Sequence, residues 1–153
     1  MALKADRVEA YTDISFFMNE TGERGGVVVH GNSTNGVGVA MDDPNAVVEY
    51  AADQSGRLPA GLLLNDVVDL DLTRQHINWH KDEVQVGSKV TLLRQGQVTT
   101  NVVVTGLTIN AGDRAYFGAD GKLTTSSTNS VQVGRFLSDL DADNYVKVDI
   151  NIT

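Results

Sequence analysis

Apolar and polar residues alternate over short stretches along most of this chain. The plainest case is Tyr145-Val-Lys-Val-Asp-Ile-Asn-Ile152, where Val146, Val148, Ile150 and Ile152 point one way and Lys147, Asp149 and Asn151 the other. A period of two marks a strand with one buried face. Further short runs rich in Val, Leu and Thr predict strands at 27–30, 46–50, 61–64, 67–72, 88–93, 98–104, 114–117 and 133–137. Turn residues divide them. Arg94-Gln-Gly96 and Ala119-Asp-Gly121 each offer a glycine where a hairpin needs positive φ. Asp120-Gly121, between Tyr116-Phe117 and Leu123, is the strongest hairpin signal in the chain.

One stretch resists this pattern. From Asp6 to Met18 the apolar residues are Val8, Tyr11, Ile14, Phe16, Phe17 and Met18, and neither a helical nor a strand period orders them. Residues 1–22 therefore read as an N-terminal arm, packed on its own domain or on a neighbour, and 23–153 as a single β domain. The sequence also carries a faint internal echo. Gly61-Leu-Leu-Leu64-Asn-Asp66 and Gly134-Arg-Phe-Leu137-Ser-Asp139 share the spacing Gly-x-x-Leu-x-Asp, as an old duplication or recurring hairpins would produce. The fold class expected is all-β: a compact β-sandwich or small β-barrel of about nine short strands with an N-terminal arm.

Composition narrows the function. A chain of 153 residues suits one core, and 15 glycines against 2 prolines fit a turn-rich β protein. With no cysteine, disulfides, thiolate zinc sites and cysteine nucleophiles are excluded together. The net charge of −8 and 12 scattered basic residues argue against a nucleic-acid partner. No apolar run approaches the roughly 18 residues that cross a bilayer, and no apolar leader follows Met1, so neither a membrane nor a secretory route is expected.

Chemical motifs are nearly absent. His76 and His80 stand four apart, but Ile77 occupies the place where a zincin has glutamate. Gly31-Asn-Ser-Thr-Asn-Gly36-Val-Gly38 lacks the Lys-Ser/Thr ending of a phosphate loop. Asp139-Leu-Asp141-Ala-Asp143-Asn144 opens like a calcium loop but has Asn144 where the EF-hand needs glycine and Ile150 where it needs glutamate. The sequence thus predicts no catalytic residue, no metal and no cofactor: a structural or binding protein, not an enzyme.

Several stretches resemble a known family. Ala111-Gly-Asp113-Arg-Ala-Tyr-Phe-Gly-Ala-Asp-Gly121, then Val133-Gly-Arg-Phe-Leu137, then Asp143-Asn-Tyr-Val-Lys-Val-Asp-Ile150 look like the layout of tailed-phage capsid decoration, or cement, proteins. The opening 11–20 and the stretch 64–83 resemble cyanophage-type members of that group. The resemblance implies an accessory protein on the outer surface of an icosahedral head, in the virion. It would be a homotrimer or dimer whose partner is the major capsid protein, and the family supplies no catalytic residue. The contact residues expected on that basis are Tyr11, Phe16, Phe17 and Met18 from the arm, with Trp79 and His80 from a long loop. The alternative is a head-fibre or receptor- or glycan-binding β module, for which Trp79 would be the natural aromatic anchor.

Overall fold

A computed structural model describes residues 2–31, 46–69, 77 and 79–152. Among the described residues eleven strands form: β1 (Val8–Met18), β2 (Val27–His30), β3 (Val47–Glu49), β4 (Pro59–Leu63), β5 (Asp66–Val68), β6 (Glu83–Gln85), β7 (Lys89–Thr100), β8 (Arg114–Phe117), β9 (Leu123–Thr124), β10 (Gln132–Phe136) and β11 (Val146–Asn151). Short 3-10 turns at Trp79–Lys81 and Ala119–Gly121 complete the described elements. Nine strands make one sheet in the order β1-β3-β2-β4-β7-β11-β10-β8-β9, and β5 and β6 pair in parallel beside it. The all-β expectation holds. Because β1 pairs with β7 as well as β3, the strands β1-β3-β2-β4-β7 close into a small barrel.

Of the two placements expected for the N-terminal stretch, it takes the one on its own domain. Leu3 bridges Thr100, Lys4 N–H donates to the Thr99 carbonyl at 2.9 Å, and β1 then runs antiparallel along β7. Phe17 and Met18 are 5% and 0% exposed, with Met18 in one core cluster alongside Val28, Leu63 and Leu92. Residues 2–22 are therefore joined to the domain, and the end of β1, at Phe17 and Met18, packs inward. The sequence concealed this because the β1–β7 ladder slips register between Glu9 and Tyr11, Tyr11 and Thr12, and Asp13 and Phe16. Each slip breaks the alternation that identifies a strand.

A second difference lies in β7. The glycine of Arg94-Gln-Gly96 does not turn the chain; β7 continues through it for 12 residues. Gly96 has φ +153°, and a Cβ there would run into the Val8 carbonyl oxygen. This glycine lets β1 approach closely while β11 pairs on the other side at Ile150. The Asp120-Gly121 hairpin forms as expected: Phe117 pairs with Leu123, and Asp120 and Gly121 both have positive φ, 58° and 73°.

Burial follows the period of two in β11, where Val146, Val148 and Ile150 are at most 1% exposed. The core falls into two clusters. One joins Met18, Val28, Val48, Ala60, Leu63, Val67, Val90 and Leu92 inside the barrel. The other gathers side chains from β8 to β11 together with Val27, Val29, Leu62 and Leu93 from the outer face of that barrel.

Candidate functional site

Exposed apolar residues are the first places to look for a binding surface in a β domain. Six large ones are exposed among the described residues: Val8 (58%), Tyr11 (51%), Ile14 (65%), Leu58, Val131 and Leu137. Half of them lie on β1. That strand pairs along β7, with Val8 opposite Gln97 and Tyr11 opposite Gln95, while Ile14 stands in the irregularity between Asp13 and Phe16.

The expected contact residues divide accordingly. Tyr11 is exposed and belongs to this surface. Phe16 is half-buried, its ring tilted 59° against His30 with centroids 5.5 Å apart. Phe17 and Met18 are removed from any contact by burial in their own core. Trp79 begins a 3-10 turn, but its indole lies outside what the structure describes, as does His76. His80 is exposed on that same turn. Val8 and Ile14 were apolar positions of the sequence without being singled out; only the register slips in β1 decide which of its apolar residues face water.

The structure brings His80 to the start of β1. A hollow of about 240 Å³ is lined by Leu3, Lys4, Ala5, Arg7, Arg24, His80 and Asp82. Asp82 joins its two sides: Arg24 Nη1 donates to Asp82 Oδ2 at 2.8 Å, and Arg7 Nη2 lies 3.8 Å from the same oxygen. Arg24 Nη1 also donates to the Lys81 carbonyl at 3.2 Å. Arg7 is held to Glu9 of β1 at 2.7 Å. The 3-10 turn is thereby tied to the strand that carries Val8 and Tyr11. On the other flank a hollow of about 360 Å³ is lined by Glu23, Arg24, Asp66, His80, Lys81 and Glu83. His80 stands on the rim between the two.

Titration marks a different place. His30 is held below its ordinary value of 6.5, first by burial and then by the charge of Arg94. Burial opposes ionisation of Asp13, yet hydrogen bonds from Ser15 and the nearby Arg94 keep its carboxyl below the usual range. Among the described residues no group of three His, Asp or Glu side chains is placed to hold a metal. The Asp139 and Asp141 carboxylates serve the backbone instead. Asp141 Oδ1 accepts from Asp143 N–H (2.9 Å) and Tyr145 N–H (2.7 Å), and Asp139 Oδ1 accepts from Ala111 N–H (2.8 Å). The glycine-rich stretch after Gly31 lies outside the described residues. Among the described residues no helix is long and apolar enough to cross a membrane.

No protein-family model matches the chain. No curated protein matches it in sequence either.

Proposed function

We propose that this protein is a structural accessory of a phage particle: a decoration protein that binds the outer surface of an icosahedral head and braces neighbouring major-capsid subunits. The observation that carries the reading is the apolar set Val8, Tyr11 and Ile14, left in water on a strand paired along β7. Exposed apolar groups on a fixed backbone lose little conformational entropy on docking, so their burial goes mainly into affinity. His80 and the Arg7–Asp82–Arg24 network supply a polar rim beside them. A protein that binds only the assembled shell stabilises it by mass action, and several copies in a homotrimer or dimer add avidity. The net charge of −8 keeps such a protein off packaged DNA, in keeping with an outer position in the virion. The role is mechanical and asks for no catalytic group or cofactor.

Deleting residues 1–18 does not test this, because the deletion removes β1 and with it the closing strand of the barrel. Surface substitution does. Tyr11→Ser with Ile14→Ser is expected to leave the melting temperature within a few degrees of the parent and to weaken binding to purified heads at least about tenfold, one tenfold step being about 1.4 kcal/mol. Leu137→Ser, just past β10 and separated from β1 in the sheet by β7 and β11, serves as the control and is expected to bind like the parent. Undiminished head binding by the double variant refutes the assignment of the surface. A parent protein that ignores heads altogether refutes the function.

A further inference from the structure

The faint echo in the sequence turns out to be the trace of a repeated structure. Gly61 and Gly134 lie at the same place in two strand pairs. In the first, Val27 pairs with Leu62, Val28 with Gly61, and Val29, after a one-residue slip, with Pro59. In the second, Arg114 pairs with Arg135, Ala115 with Gly134, and Tyr116, after the same slip, with Gln132. The next ladders also coincide: Leu62↔Leu93 and Leu63↔Leu92 in one, Arg135↔Asp149 and Phe136↔Val148 in the other. So do the outer pairs, His30↔Val48 with Phe117↔Leu123, and the parallel contacts Met18↔Val48 with Val103↔Leu123.

Irregular hydrogen bonds follow the same correspondence, which hairpin chemistry alone would not dictate. Gly25 N–H donates to the Leu63 carbonyl and Gly112 N–H to that of Phe136, at 2.9 and 2.8 Å. Asp66 Oδ1 accepts from Arg24 N–H just as Asp139 Oδ1 accepts from Ala111 N–H. Leu64 N–H donates to the Thr91 carbonyl, and Leu137 N–H to that of Lys147. Val67 N–H reaches the Gly22 carbonyl, and Leu140 N–H that of Ile109. The shared motif thereby acquires a reason. Its glycine admits the carbonyl of the next strand, Leu93 or Asp149, and its aspartate caps a backbone amide.

The cores agree as well. Met18, Val28, Val48 and Ala60 of the barrel interior correspond to Val103, Ala115, Leu123 and Val133. Leu63, Val67, Val90 and Leu92 correspond to Phe136, Leu140, Val146 and Val148, all of them in or against the second cluster. We infer that the chain is a tandem pair of one five-stranded unit, β1-β2-β3-β4-β7 followed by β7-β8-β9-β10-β11. The long strand β7 ends the first unit and begins the second. Segment 68–88 is an insertion into the first unit, standing where the second has only 141–144.

The outward faces of the two units differ. The outward face of the first unit, Val27, Leu62, Leu64 and Leu93, is at most 3% exposed and buried in the second cluster. The equivalent face of the second unit carries Arg114, Arg135, Leu137 and Asp149 and looks out to water. A polar outer face on a terminal repeat is what ends a tandem array in a soluble form.

The test is a chimera in which 68–88 is replaced by the Asp-Ala-Asp-Asn of 141–144, so that Val67 enters β7 as Leu140 enters β11. It is expected to keep the β-sheet circular dichroism of the parent, one cooperative melting transition and slow amide exchange at Gly25, Leu64 and Val67. Loss of protection at those three amides in a chain that is otherwise folded overturns the inference. If the chimera does not fold, the matched variants Asp66→Ala and Asp139→Ala decide. Each should accelerate exchange of its own capped amide, Arg24 or Ala111, and the two should lower the melting temperature by amounts within a factor of two of each other. A larger disparity, or no acceleration at one of them, refutes the equivalence.

Discussion

Replacing Met18 by alanine separates the buried reading of the N-terminal stretch from the contact reading that its sequence invites. The side chain is 0% exposed and packs with Val28, Val48, Ala60, Leu63, Val67, Val90 and Leu92. Truncation removes three heavy atoms, worth about 2.4 kcal/mol at about 0.8 kcal/mol per buried group. The barrel around the site is fixed by strand pairing on both edges of β1, so the void closes only in part and adds to the cost. The expected loss is about 3 kcal/mol, within the range of about 2–5 kcal/mol for buried Met→Ala. For a chain of this size that lowers the melting temperature by about 6–12 °C. Backbone bonds at the site, Gly87 N–H to the Met18 carbonyl and Met18 N–H to that of Ser88, survive the change. Urea unfolding followed by circular dichroism should show a lower midpoint with an unchanged slope. Binding to heads, measured well below the melting temperature, should equal that of the parent. Stability within about 0.5 kcal/mol of the parent, the range of ordinary surface substitutions, would refute the placement of Met18 in the core.

Two further outcomes follow from the fold. Gly96→Ala places a Cβ against the Val8 carbonyl at a φ that L-residues rarely adopt, and is expected to cost about 1–3 kcal/mol in thermal unfolding, with β1 losing amide protection first. His30 keeps its neutral form in the folded state to a lower pH than in the unfolded chain, so stability from this group is complete above about 6.5 and declines as pH falls from there through the folded value. His30→Gln should flatten the melting temperature across that window, and an unchanged slope would count against burial and Arg94 as the cause.

Much of the fold was legible because half-buried strands write their burial into the sequence. The β2 and β8 boundaries could be read from short apolar runs set between turn residues, and the inward set of β11 from its period of two. The N-terminal strand could not, since its slips against β7 scatter its apolar residues over both faces. Gly96 misled for a related reason: a glycine that permits close approach carries the same letter as one that permits a turn. The candidate surface was half visible. Tyr11 and His80 lie where a contact residue can act, whereas Phe16 is half-covered, Phe17 is buried, and Met18 is enclosed by partners up to 74 positions away, such as Leu92, which no local window sees.

The repeated unit explains why the echo in the sequence is so faint while the geometry is so close. Equivalent interior positions need only an apolar side chain that fills the local space, so Leu63 can face Phe136 in the comparison, and Met18 can face Val103, without either unit losing its core. Equivalent outer positions have diverged for the opposite reason. Leu62 and Leu93 are buried by the second unit, whereas Arg135 and Asp149 meet water, so the two environments select different residues on one backbone. What cannot diverge is the pair of places where the backbone itself makes the demand: the glycine under a neighbouring carbonyl and the aspartate that caps an amide. These remain alike, together with one leucine, Gly25 and Gly112, and Val90 and Val146, and the spacing of the glycine, leucine and aspartate is the signal the sequence retains.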